Sequence, residues 1–161
     1  MRILLVGAGG VGTAIAKIAA RRTFFETMVV CDYELVRAEA TIAWVEAKHG
    51  AQGSRFIAAQ IDASDPDDVT AVAKAHGVTH VMNAVEPKFV PTIFAGALAA
   101  GADYLDMAMS LSEPHPSEPY SETGVKLGDD QFAQAPDWET AGRLALVGMG
   151  VEPGLSDVFA R

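Results

Sequence analysis

Gly7, Gly9, Gly10 and Gly12 fall within the stretch VGAGGVGTAIA, and Asp32 follows Gly12 by twenty residues. Glycine gives up more conformational freedom on folding than any other residue, so such a cluster marks backbone that must turn tightly or be approached closely. Gly7, Gly9 and Gly12 fit G-x-G-x-x-G. In that pattern the first glycine makes the tight turn, the second admits a diphosphate against the backbone, and the third lets a helix pack close to a strand. The amides at the start of the following helix, around Gly10 and Val11, supply donors and the positive end of the helix dipole. Asp32 closes the next apolar run, where its carboxylate would accept hydrogen bonds from ribose hydroxyls. A 2′-phosphate there would meet like charge, so the pattern points to NAD ahead of NADP. Arg37 is the cation that could turn toward a 2′-phosphate. The alternative is a plain structural role for Asp32, capping the helix that starts near Glu34, and the two roles can coexist.

Two further segments suit the same ligand. In QIDASDPDD, Asp62 and Ala63 end a third apolar run near where an adenine edge would lie, and Ser64 or Asp65 caps the next helix. In VMNAVEP, Asn83, Ala84 and Val85 end a fourth run and would line the passage from adenosine to nicotinamide; Asn83 is equally well explained as a turn former. Among groups able to move a proton, Lys88 lies just past this segment, in a position that also suits solvated surface. His80 falls inside a strand, His49 and His76 close helices, and Glu113 and His115 sit in a long loop. No His, Cys, Asp and Glu spacing of a metal site occurs.

The elements that must position these residues alternate. Apolar runs at 2–6, 27–32, 55–61, 78–82, 102–106 and 143–148 read as strands, and amphipathic stretches at 11–22, 34–49, 67–76 and 90–100 read as helices. Buried strands each followed by a helix imply an α/β fold, a Rossmann-type doubly wound parallel sheet in three αβα layers. Right-handed crossovers favour strand order 3-2-1-4-5-6, with the ligand crevice at the carboxyl ends of strands 1 and 4. Residues 109–128, with Pro114, Pro116 and Pro119, form a long loop, either a flap or a solvated insertion, and a short helix runs from Pro136 to Gly142.

Composition narrows the classes. Half the 161 residues are apolar, and 21 acidic against 12 basic residues leave a net charge of −9, a field that disfavours nucleic acid. No apolar run reaches the roughly 18 to 20 residues of a membrane span. The single cysteine, Cys31, suits a reducing cytoplasm and reads as a small buried apolar group. The final stretch GLSDVFAR reads as a helix just begun, so residues 1–161 are expected to be the dinucleotide-binding part of a longer chain.

Three segments, ILLVGAGGVGTAIA, GADYLDMA at 101–108 and LVGMGVEPGLSDVFAR at 146–161, resemble the saccharopine dehydrogenase family, which includes lysine 6-dehydrogenase and carboxynorspermidine synthase. The resemblance runs over essentially the whole chain and implies an oxidoreductase that passes hydride between a nicotinamide cofactor and an amine-bearing, imine-forming carbon. It further implies a substrate and dimerisation domain after residue 161, hence a homodimer, with a small amine as substrate. Asp106 would help hold that amine, beside Met107. Pro153, Gly154 and Ser156 would begin a helix facing it. Met107 stands where relatives commonly carry Ser or Thr, which blurs the substrate class. The alternative is a non-catalytic nucleotide-sensing module of the potassium-transport regulatory type, which shares the glycine turn and strand-2 acid but lacks YLDMA and PGLSD.

Overall fold

The computed structural model describes residues 1–160, with the backbone alone for Ala51 and Gln52. Six parallel strands form one sheet: β1 (Arg2–Val6), β2 (Thr27–Asp32), β3 (Phe56–Gln60), β4 (His80–Asn83), β5 (Asp103–Asp106) and β6 (Ala145–Leu146). Their order is β3-β2-β1-β4-β5-β6, the doubly wound arrangement the alternation implied. The register pairs Val6 with Cys31 on one side and Asn83 on the other, and Asn83 with Asp106. The glycine turn and the residues after Asn83 and Asp106 therefore leave the sheet together, at its carboxyl edge.

The helices are α1 (Gly10–Ala19), α2 (Leu35–His49), α3 (Pro66–Ala75), α4 (Val90–Ala100), α5 (Asp129–Ala133), α6 (Ala135–Thr140) and α7 (Leu155–Phe159). Side chains alternate across a strand, so each central strand feeds two cores. Ile3, Leu5, Met28 and Val30 pack with Ala16, Ala38, Ile42 and Val45 of α1 and α2. Leu4, Val6, Val29 and Cys31 pack with Val69, Ile93, Phe94 and Trp138 on the opposite face. There Phe94 meets Tyr104 edge-on at 5.0 Å and Trp138 at 4.6 Å. Asp65 caps α3 by accepting from the Asp67 amide at 2.9 Å, and Pro66 opens the helix. Among the described residues no helix is long and apolar enough to cross a membrane.

Some boundaries differ from the pattern, for local reasons. β6 holds two residues instead of six: Gly148 takes a left-handed φ of +68°, and its amide turns away to donate to the Asp106 carboxylate at 2.7 Å. The short helix expected from Pro136 is present as α6, and a second, unforeseen short helix, α5, precedes it, with Asp129 and Asp130 as its acidic first turn. The loop 109–128 is tied by an antiparallel bridge between Glu113 and Val125, with Tyr120 fully exposed at its tip.

Cys31 is buried on β2, and burial, reinforced by the charges of Asp68 and Asp32, pushes its thiol up to about 12 from 9.0. The folded chain therefore retains the thiol proton after the unfolded chain has released it. This contribution is fully present below pH 9 and is lost as pH rises toward 12, by about 1.4 kcal/mol per pH unit. Urea midpoints between pH 9 and 11 should fall more steeply for the wild type than for Cys31→Ala. Iodoacetamide at pH 8 should label the unfolded chain alone, as read by intact mass.

Candidate functional site

At the carboxyl edge of β1, β2, β3 and β4 lies a cleft of about 700 Å³, within the range of small-molecule and cofactor sites. Gly7, Gly9, Val11, Asp32, Asp62, Ala63, Ala84 and Val85 all line it. Gly7 turns with a φ of +102°, and a Cβ there would run into Val85 and the Ala84 carbonyl. A Cβ on Gly12 would collide with the Gly7 carbonyl oxygen. These two glycines are bare because α1 and β4 press against the turn. Gly9 and Gly10 are exposed, and beyond their own chain neighbours and helix turn nothing lies within 4 Å of where a Cβ would sit. Packing does not account for them. Among the described residues no side chain caps α1, so its first-turn amides face the opening with donors to spare. Open glycines beside an uncapped helix start are what a diphosphate requires, and the residues present fit that group.

Asp32 spans this turn. One carboxylate oxygen accepts from the Ala8 amide at 2.9 Å and the other from the Glu34 amide at 3.1 Å. The capping role and the cleft-lining position thus coexist, and each oxygen retains an acceptor direction. Arg37 also lines the cleft, 3.6 Å from Glu34. Asp62 accepts from both the amide and the hydroxyl of Ser64, which hold its carboxyl below the usual range. Tyr33 and Phe89 add aromatic surface to the walls.

A smaller recess of about 190 Å³ shares Val11, Ala84 and Val85 with the cleft and is completed by Asn83, Val90, Asp106, Met107 and Ala108. Asn83 and Asp106 line it, yet their polar atoms are engaged elsewhere. The Asn83 amide nitrogen donates to the Tyr104 hydroxyl at 3.0 Å, and its oxygen accepts from the Val85 amide at 3.1 Å. The Tyr104 hydroxyl donates to Asp106 Oδ2 at 3.0 Å, and Gln131 Nε2 donates to the same oxygen at 2.7 Å. Asp106 Oδ1 accepts from the amides of Gly148 at 2.7 Å and Met109 at 3.2 Å. A carboxylate has about four acceptor directions, and here all four are filled from within the chain. That arrangement suits Asp106 to positioning the edge rather than to receiving an amine itself. Burial, with the neighbouring Asp106 charge adding to it, raises the Tyr104 phenol above its ordinary value, so it remains a donor.

The remaining candidates stand apart. Lys88 is exposed, 2.7 Å from Glu86, and lines neither the cleft nor the recess; its neighbours Glu86 and Phe89 reach the wall instead. Pro153, Gly154 and Ser156 line neither cavity. Their turn returns toward Gly150, where a Cβ would run into the Met107 carbonyl oxygen. His115 and Glu113 stay in the exposed loop, and His80 pairs with Asp103 at 3.5 Å on the strand edge. Gln131 escaped the sequence reading, since a lone glutamine in a polar stretch has no spacing signal. Tyr104 had one, lying two residues before Asp106 and so on the same face of β5.

A family model described as the saccharopine dehydrogenase NADP binding domain matches residues 3–146. The chain is 27% identical to a carboxynorspermidine synthase of Vibrio alginolyticus, over 99% of this chain and 38% of that protein. It is 29% identical to a carboxyaminopropylagmatine dehydrogenase of Synechocystis sp., over 98% of this chain and 36% of that one. It thus spans well under half the length of these relatives. An apo saccharopine dehydrogenase (L-Glu forming) from Saccharomyces cerevisiae superposes with a TM-score of 0.68 at 19% identity, over 99% of this chain and 29% of that one, a likeness of fold. With the family model covering nearly all of a chain that carries the glycine turn, the strand-2 acid and this strand order, the chain belongs to the saccharopine dehydrogenase family, in its nicotinamide-dinucleotide-binding domain.

Proposed function

We propose that this chain forms the cofactor-binding part of a nicotinamide-dependent oxidoreductase acting on an amine-bearing carbon of an amino acid or polyamine-like substrate. The observation that carries the reading is the pair of open glycines, Gly9 and Gly10, beside the uncapped start of α1. The two relatives, a carboxynorspermidine synthase and a carboxyaminopropylagmatine dehydrogenase, support this substrate class and favour an enzyme over a nucleotide-sensing module.

The division of labour follows from charge and shape. The nicotinamide ring, when bound, supplies hydride transfer; the chain binds and orients it. First-turn amides of α1 hold the diphosphate, Asp32 takes the adenosine ribose, and Ala84 and Val85 lead toward the recess bounded by Met107. Asp106 fixes that recess from behind. Of the two cofactor forms we assign tighter binding to NAD: Asp32 offers acceptors to a free 2′-hydroxyl, while Arg37 lies beside Glu34. The family description names NADP, and Arg37 is the side chain that would serve it.

Calorimetry with NAD, NADP and ADP-ribose tests binding. The absorbance of reduced nicotinamide, followed with a panel of diamines, amino acids and semialdehydes, tests the reaction. Asp32→Ala is expected to weaken NAD about 10- to 100-fold, the scale of losing hydrogen bonds to a charged acceptor, and to shift preference toward NADP. An unchanged NAD constant would remove Asp32 from the ribose site. Heat exchange with none of the three ligands would remove the cofactor reading itself.

A further inference from the structure

The turn that follows β5 has an unusual hold on it. Met109 adopts a left-handed φ of +64°, alone among the described non-glycine residues in having a positive φ. Side chains disfavour that conformation, and where it persists the surroundings impose it. Here they do so from two directions. The Met109 amide donates to Asp106, at the start of the turn, and the next amide, of Ser110, donates at 2.8 Å to Gln131 Oε1. Gln131 comes from α5, is 3% exposed, and with its Nε2 grips Asp106 Oδ2. One side chain therefore clamps both ends of the Met107–Ser110 turn. Met107 and Ala108, between the clamped ends, form a wall of the recess beyond Val85.

We propose that Gln131 is the positioning residue that shapes the nicotinamide end of the site, by holding the Met107–Ser110 turn against the recess while leaving the diphosphate and adenosine end untouched. The inference rests on the cofactor reading above and adds a residue and a division to it. Its chemical basis is that the amide of glutamine presents a donor nitrogen and an acceptor oxygen side by side, and Gln131 uses the nitrogen on a carboxylate and the oxygen on a backbone amide. Alanine supplies neither group. Asparagine retains both but is one methylene too short to bridge the same two partners. With the clamp gone, Met109 is free to leave its left-handed conformation and Met107 to swing into or away from the recess.

The experiment compares NAD with ADP-ribose, which has the adenosine and diphosphate but no nicotinamide, on the wild-type protein, Gln131→Ala and Gln131→Asn. Each variant is first checked by circular dichroism. The expected result is a loss of about tenfold or more in NAD affinity with ADP-ribose unchanged within about twofold. Gln131→Asn is expected to behave as Gln131→Ala does, and serves alone where the alanine variant does not fold. A parallel loss for both ligands would reduce Gln131 to a general structural role and overturn the proposal, as would unchanged binding of both. A wild-type protein binding neither ligand would instead overturn the cofactor reading on which the proposal stands.

Discussion

Replacing Asp106 by alanine is expected to lower the stability of the chain by about 3–5 kcal/mol, because it strands several buried donors at once. Four donors converge on its carboxylate: the Tyr104 hydroxyl, the Gln131 amide, and the backbone amides of Met109 and Gly148. Asp106 is 1% exposed, so these donors would be stranded without solvent, and each unsatisfied group costs about 1–3 kcal/mol. They come from β5, the turn after it, α5 and the segment after β6. Loss of the carboxylate thus loosens four pieces of chain at once. Against the 5–15 kcal/mol that hold an ordinary domain, this change leaves a marginal fold. Urea unfolding followed by far-ultraviolet circular dichroism measures it. Tyr104→Phe, which strands the Asn83 amide nitrogen and removes one of the four donors to Asp106, should cost less, about 1–3 kcal/mol. A change below 1 kcal/mol for Asp106→Ala would mean that water takes over all four donors, and the hub assignment would fall.

The second large effect separates the glycines by role. Gly12→Ala places a methyl against the Gly7 carbonyl oxygen and its carbon, atoms of the backbone that cannot rotate aside. Helix α1 must move off β1, and overpacking of this kind costs about 1–3 kcal/mol. Because the displaced segment forms the diphosphate turn, dinucleotide affinity should fall by about 100-fold. Gly9→Ala is expected to behave differently. Gly9 has a φ of −74°, open space around a built Cβ, and a place in the cleft wall. Its substitution should leave stability within about 0.5 kcal/mol yet weaken NAD by tenfold or more, since the methyl occupies space the diphosphate needs. Thermal melts and calorimetry on the two variants give a two-by-two comparison. Unimpaired NAD binding by Gly9→Ala would mean that no ligand lies on that backbone.

Local patterning carried the reading of the fold a long way. Apolar runs of strand length alternating with amphipathic helices are a one-dimensional record of a doubly wound sheet, and all six strands lie within or overlap the expected runs. The exception in extent, β6, ends early for a reason no hydropathy pattern contains: the Gly148 amide after it turns to the Asp106 carboxylate on the neighbouring strand. The helix α5 was missed because five residues carry too little periodicity to register, and with it Gln131.

The cofactor cleft was legible because its parts are motifs. A glycine spacing, an acid twenty residues on and the residues ending each strand are set by backbone geometry, and backbone geometry leaves a trace in residue type. The recess beside it was not, because its shape depends on contacts between residues 25 or 42 positions apart, such as Gln131 and Gly148 with Asp106. The amino-acid chain by itself determined the architecture, the glycine turn and the acid beside it. Only the folded arrangement decided that Gly7 and Gly12 serve packing while Gly9 and Gly10 stay open, that Lys88 faces solvent beside Glu86, and that Asp106 is surrounded by its own chain's donors. The physical reason is that conformational and periodic preferences act between neighbours in sequence, whereas the filling of a buried carboxylate's acceptor directions is settled by whatever the sheet order brings alongside it.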